Sequence, residues 1–293
     1  MKKIKLLFIL AWRNLRWTFI KAIHLNGQIS VQVYGKKIVL YLNRVGLDIK
    51  ENNIFKQLAL DHNREAEASK VMLDFIEPGD EIFEAGANIG YYVLLEASRL
   101  QGQGKIYAIE PDPSNYELLK KNVELNELQN YVDVRKLSVS DKVGHSEFFL
   151  SKDSNLHSFL PSENDEERTS IMVETTTIDA FLADKPKVNF IRMDIEGYEC
   201  RVIYGMKQFL AKPGPLKLFI ELHPKLVSRE EMLNLLTILE ESGFTIHKAI
   251  SRDNYLRKQL GQTTVEEMTM AELKSDPRLL EEKRSFEMFF IKK

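Results

Sequence analysis

Short apolar runs alternate with stretches of helical periodicity along most of the chain, and that alternation predicts its architecture. Glu81-Ile82-Phe83-Glu84 reads as a short buried strand, Tyr91 to Leu100 as a helix that Gly102 and Gly104 stop, and Lys105 to Ile109 as a second strand closed by Glu110-Pro111. A helix capped by Ser114 runs on to about Leu125. Val132 to Leu137, Val188 to Met193 and Leu216 to Leu222 read as the third, fourth and fifth strands. Helices over Glu199 to Leu210 and Ser228 to Ser242 end at Pro213-Gly214-Pro215 and at Gly243, and Phe244 to Ile250 and Phe286 to Ile291 read as two final strands. Strands that alternate with helices of this length imply a parallel sheet covered by helices on both faces.

Two regions depart from the alternation. HSEFFLS and IMVETTTID, within 145–178, are strand-like pieces around a polar loop, so an insertion follows the third strand. Residues 252–283 are charged and helix-prone and separate two pieces that can pair as an antiparallel edge. Upstream, residues 28–50 alternate, are rich in β-branched residues and break at Gly35-Lys36-Lys37, which predicts a hairpin. A helix is expected over 54–76, stopped by Pro78-Gly79-Asp80.

Charge singles out the first segment. Nine Lys or Arg and no acidic residue precede Asp48, whereas in the remainder 32 basic residues face 43 acidic ones. The run LLFILAW is too short for a bilayer span, and Arg13 ends it with no small-residue cleavage site behind it. At helical spacing Ile4, Phe8, Ala11, Leu15, Phe19 and Ala22 share one face, and Lys2, Lys5, Arg13 and Arg16 another. Ile9 and Ile20 fall among the basic positions. This pattern suits either a helix lying on an anionic membrane or one packed on the core or on a second subunit. One cysteine, Cys200, excludes an intrachain disulfide, and six scattered His offer no zinc-type spacing. The acidic body and the net charge of −2 argue against nucleic-acid binding.

The candidate chemistry begins at FEAGANIGYY, residues 83–92, where the first strand turns into a helix. Gly86 and Gly90 let backbone approach a ligand, and the helix start offers free N–H groups. The turn lacks the Lys-Ser or Lys-Thr of a nucleotide P-loop and one glycine of the dinucleotide fingerprint. Glu84 beside it would repel a pyrophosphate and suits an amine. Glu110, at the end of the second strand, can accept both ribose hydroxyls. A nucleoside with an amino-acid tail and no phosphates fits both, which points to S-adenosylmethionine, with Glu84 facing its amino group directly or through water.

GANIGYY (86–92), AIEPDPSNYELLKKNVELN (108–126), LSVSDKVG (137–144), TTIDAFL (176–182) and IRMDIEGYECRVIYGM (191–206) follow one another in an order and spacing that resembles the FkbM family of S-adenosylmethionine-dependent methyltransferases. The resemblance spans roughly 35–225. It implies an α/β class I methyltransferase fold: a Rossmann-like sheet of seven strands in the order 3-2-1-4-5-7-6, mostly parallel with an antiparallel edge, helices on both faces. Here an N-terminal helix and small β extension would be added, over residues 1–50, to a methyltransferase domain over 51–293. By the same resemblance Glu84, Gly86, Asn88 and Gly90 match the donor-binding turn, Glu110 the ribose acid, Ser138 to Asp141 the adenine wall, and Asp194, Glu196 and Gly197 the D-x-E-G motif. Asp commonly stands in the family at position 84 and Lys at position 192. O-methylation of a hydroxyl on a sugar or similar metabolite is the implied reaction.

For such a transfer the protein aligns donor and acceptor and provides a base for the hydroxyl proton. Asp194, Glu196 and His223 are the candidates, Asp194 also touching the donor. Asp194, Glu196 and Glu221 are hard oxygen ligands, but two carboxylates on one loop do not make a metal site and none is assigned. Phe148, Phe149 and the loop 151–168 are expected to wall the acceptor. The acceptor is expected to be a small molecule, a glycan or a lipid-linked molecule. The chain is expected in the cytoplasm, with a peripheral membrane contact through residues 1–25 or a homodimer contact compatible with the pattern. The competing readings are a nicotinamide oxidoreductase and a non-catalytic donor-binding partner or membrane-adaptor subunit; the intact 194–197 motif argues against the last.

Overall fold

The computed structural model describes residues 11–20, 27–33, 35–41, 44–45, 48–49, 58, 60, 64–150, 169–252 and 264–293. The expected apolar positions Ile4, Phe8 and Ala22, most of 54–63 and the loop 151–168 lie outside them; the single helix expected over 54–76 is interrupted at Arg64-Glu65, where Glu65 is left-handed at φ 48°.

Residues 11–20 form a helix, α1. β1 (Gln28–Val33) and β2 (Lys36–Tyr41) pair antiparallel around Gly35 as the expected hairpin, and β3 (Arg44–Val45) and β4 (Asp48–Ile49) make a second short pair. Among the described residues no helix is long and apolar enough to cross a membrane.

After α2 (Ala66–Phe75) the regular alternation starts. β5 (Glu81–Ala85), α3 (Tyr91–Leu100), β6 (Lys105–Ile109), α4 (Pro113–Leu125) and β7 (Val132–Arg135) build the first half. β8 (Ser138–Val139), β9 (Gly144–Leu150) and β10 (Thr169–Thr176) form the inserted small sheet, in the order β8-β10-β9. The second half holds β11 (Val188–Met193), β12 (Leu216–Leu222), α5 (Arg229–Glu241), β13 (Thr245–Ser251), β14 (Val265–Glu266) and β15 (Phe286–Lys292). The main sheet runs β14-β13-β15-β12-β11-β5-β6-β7, which for its seven longer strands is the order 3-2-1-4-5-7-6. β15 is antiparallel to both its long neighbours. The eighth strand, β14, adds two residues at the edge.

The central strands are buried on both faces and therefore read as mostly apolar runs, VNFIRM and LKLFIEL, that do not strictly alternate. Ile82, Phe190, Phe219 and Phe289 pack with α2, α3 and α4 on one side. Phe83, Ile191, Leu218 and Phe290 pack with α5 on the other. α5 has a capping box between Ser228 and Glu231.

Two more local expectations are corrected. Asp112, not Ser114, caps α4, because Pro113 occupies the first helical turn and the Asp112 carboxylate accepts the Asn115 N–H. The expected helix over 199–210 is broken into Glu199–Val202, a 3-10 turn at Ile203–Gly205 and Lys207–Ala211. At Gly205 a Cβ would lie 2.5 Å from the Ser140 carbonyl oxygen, so the segment hugs the insertion and cannot run straight there.

The hairpin is tied to the body by two asparagines of α4. Asn126 accepts the Val39 N–H and donates to the Val39 carbonyl, at 3.0 and 2.7 Å. Asn122 accepts the Tyr41 N–H and donates to the Ile89 carbonyl in the glycine-rich turn, at 2.5 and 2.6 Å.

Candidate active site

A cavity of about 280 Å³ opens at the carboxyl ends of β5, β6, β11 and β12, where a doubly wound sheet reverses its strand order. The turn between β5 and α3 forms its floor. Gly86, Asn88 and Gly90 have φ of 81°, 50° and 90°, so three residues of the turn are left-handed. At Gly86 a Cβ would lie 2.2 Å from the Asp194 carbonyl oxygen. Glycine there lets the β5 and β11 loops touch, and that contact sets where Asp194 stands.

Glu110 locks the turn. Its two carboxylate oxygens accept the Asn88 and Asp112 N–H groups at 2.8 and 2.9 Å. Burial pushes its pKa up to about 8, against the pull of these two backbone donors. Glu110 lines the cavity, and its carboxyl group suits a pair of ribose hydroxyls. Ser138 and Val139 continue the wall beside it. Ser140 and Asp141 do not line the cavity but bond to each other, Oγ to Oδ1 at 3.0 Å.

Glu84 is fully buried, is not among the residues that line the cavity, and is paired inside the protein. Arg192 is its register partner on β11, and Nη1 reaches Glu84 Oε1 at 2.5 Å. Arg192 also reaches Asp194 Oδ2 at 3.2 Å and lies 3.6 Å over the Tyr92 ring. Glu96 of α3 is buried on the same side. Burial raises the pKa of both glutamates, Glu96 well above the ordinary range because Glu84 adds repulsion, while Arg192 opposes the rise. Burial acts to lower the pKa of Arg192, but Glu84 and Asp194 outweigh it and the guanidinium stays charged. The longer acid at 84 and the Arg at 192 thus form one buried pair beneath the site.

The other end of the cavity gathers Asp194, Glu196 and His223. His223 Nε2 is 3.5 Å from Glu196 Oε2 and 3.9 Å from Asp194 Oδ1. Its Nδ1 is 3.2 Å from Glu199 Oε1, which also accepts the Ile195 N–H at 3.0 Å. Glu221 Oε1 stands 3.4 Å from Nε2. Burial works against a charged imidazole, yet Glu199 and Glu221 raise its pKa well above the usual value. Both neighbours thus favour the charged imidazole, and His223 stands in the cavity beside the other two candidate bases, Asp194 and Glu196. Glu196, left-handed at φ 53°, has its pKa pushed up to about 8 by burial, with His223 opposing. Asp194 is raised by burial and Glu221, and held down by Arg192. Asp194, Glu196 and His223 each offer a ligand atom within 4.8 Å of one another, an oxygen–oxygen–nitrogen set that also suits a divalent cation.

Several lining residues were not expected from the sequence. Arg252 follows β13 and bridges Glu221 (2.6 Å), Glu287 (3.1 Å) and Glu65. Arg64 pairs with Glu65 at 3.0 Å, and its backbone N–H donates to the Tyr91 hydroxyl. Tyr92 donates to Glu65 at 2.6 Å. β13 runs parallel to β12, so its carboxyl end opens on the same edge, and that rule alone points to Arg252. Nothing in the sequence marks Arg64, which precedes α2. Phe148 lines the cavity and Phe149 does not.

These residues fit S-adenosylmethionine. A buried carboxylate is placed for ribose, a glycine turn admits close backbone, and the cationic Arg64 and Arg192 on the wall can meet a carboxylate tail.

The family model of the methyltransferase FkbM domain matches residues 84–246, more than half of the chain. The chain is 24% identical over 159 residues to the hexuronic acid methyltransferase AglP of Haloferax volcanii, an alignment covering 51% of this chain and 59% of that relative. Among solved structures it is similar to a methyltransferase FkbM from Methylobacillus flagellatus (18% identity, TM-score 0.42, 67% of this chain and 49% of that one). Another is a SAM-dependent methyltransferase from Aquifex aeolicus (16%, TM-score 0.40, 77% and 89%). By the extent of the family match, this chain belongs to the FkbM family of S-adenosylmethionine-dependent methyltransferases.

Proposed function

We propose that the chain methylates a hydroxyl oxygen of a sugar, glycolipid or secondary metabolite. The observation that carries the reading is the Glu196–His223–Asp194 cluster at the end of the donor cavity, a basic carboxylate beside a fixed cation. The likeness to a hexuronic acid methyltransferase supports a sugar as the acceptor.

The donor supplies a methyl group already activated on a sulfonium, so the protein needs no covalent nucleophile. Glu110 accepts ribose hydroxyls, and the Gly86 turn sets the depth of the cavity floor. Glu196, with a pKa near 8, is matched to a hydroxyl proton at neutral pH and takes it as the oxygen is methylated. His223 stabilises the carboxylate form of Glu196 between turnovers. Asp194, held by Arg192, orients the acceptor hydroxyl.

The test uses labelled donor with the purified chain and fractionated glycans, free uronic acids and glycolipids. Label that survives base but not ether cleavage of a sugar supports the reading. Label found only on nitrogen or on protein sinks it.

A further inference from the structure

We propose that α1 docks the chain onto the surface of an anionic phospholipid bilayer. α1 has two apolar faces, and the protein uses one. Trp17 is 3% exposed and belongs to the same buried cluster as Ile29, Val31, Ile38 and Leu40 of the hairpin, with Ile20 packed against it. On the far side Trp12, Leu15 and Phe19 are 62%, 63% and 66% exposed. Their spacing, i, i+3 and i+7, places them in one stripe. Other exposed large apolar residues, such as Val143, Met172 and Tyr204, do not form such a series. Two aromatic rings and a leucine on a helix anchored from behind are the composition that settles at the headgroup level.

Charge decides the occupant. Exposed Arg16 borders the stripe, and Lys36 and Lys37 are exposed at the hairpin turn. The chain carries nine basic and no acidic residues before Asp48. A second copy docked on the same stripe would bring two such ends together and repel. An anionic bilayer is attracted to this end and repelled by the rest, where 43 acidic residues outnumber 32 basic ones. Docking therefore has one orientation. Over the described residues 11–20 the helix rises about 15 Å, half of a hydrocarbon core.

The test is co-sedimentation of the full chain with phosphatidylcholine vesicles, plain or with about 30% phosphatidylglycerol. Binding is expected only to the anionic vesicles and is expected to weaken at about 0.5 M salt. The double substitution Leu15→Gln and Phe19→Gln should lower the partition by roughly tenfold or more with an unchanged Tm, since both side chains are exposed. The chain has two tryptophans, and Trp17 is already buried, so a blue shift on adding vesicles reports Trp12. Equal binding to plain vesicles, or a double variant that binds as the parent does, overturns the proposal. So does a vesicle-free dimer that the double variant turns into a monomer that still binds vesicles.

Discussion

Gly86→Ala tests whether the contact between the donor turn and the Asp194 loop positions the site. Two costs add. A left-handed alanine costs roughly 1–2 kcal/mol. The new Cβ would also sit 2.2 Å from the Asp194 carbonyl oxygen, and ordinary contact begins at 3.4 Å, so the two loops must part by about 1.2 Å. The Asp194 N–H donates to the Ala85 carbonyl at 3.2 Å next to that contact, and losing this bond costs about 1 kcal/mol. The expected destabilisation is about 2–4 kcal/mol by urea unfolding. A misplacement of about 1 Å at reacting groups lowers turnover on the order of a hundredfold. Gly79→Ala is the control: its φ is 95°, and nothing lies within 4 Å of its Cβ, so it carries the backbone cost alone. Turnover and donor affinity by calorimetry are compared across the three proteins. If Gly86→Ala behaves like Gly79→Ala, with donor affinity and turnover intact, the loop contact does not position Asp194 and the reasoning fails.

Glu196→Gln should cut turnover by roughly 10²–10⁴. In the parent, kcat should rise with pH through a midpoint at about 8 as Glu196 ionises, and level about one unit above it; a variant that keeps the same rise assigns the base elsewhere. Arg192→Met leaves Glu84 and Glu96 buried without their cation and should cost about 3–5 kcal/mol at pH 8. Burial already raises the Glu84 pKa and loss of Arg192 raises it further, so the deficit shrinks as pH falls toward the unfolded carboxyl range; equal deficits in unfolding at pH 5 and 8 would contradict this. Turnover should survive chelation by EDTA, because arginines and an imidazolium already neutralise the carboxylates; loss restored by Mg²⁺ would assign Asp194, Glu196 and His223 to a cation.

Most of the sheet was legible because its central strands are buried on both faces, so β5, β11 and β12 announce themselves as apolar runs. The carboxyl ends of β5, β6 and β11 then located Gly86, Glu110 and Asp194. The Glu84–Arg192 pair was not legible, for want of register. Adjacent strands put Glu84 and Arg192 side by side, and the pleat turns both toward the face that α3 covers. A sequence shows that a carboxylate ends a strand but not which neighbour it meets. The surroundings of His223 were hidden for a related reason. Its charge state comes from Glu199 and Glu221, one on a short helix after β11 and one on β12, and only folding brings them together. Asp-Pro before a helical run places the cap at Asp112, a stronger signal than the serine two residues on.

Asn122 has a mechanical meaning beyond its bonds. One side chain grips the Tyr41 N–H of the hairpin and the Ile89 carbonyl of the donor turn. On the docking proposed for α1, the end that would meet the bilayer and the turn at the cavity floor share a rivet, without passing through the sheet. Whatever free energy the bilayer adds to donor binding through it, the donor returns to docking in equal measure. A loaded enzyme and an empty one would then hold the membrane with different strength, and turnover itself would set the time spent there.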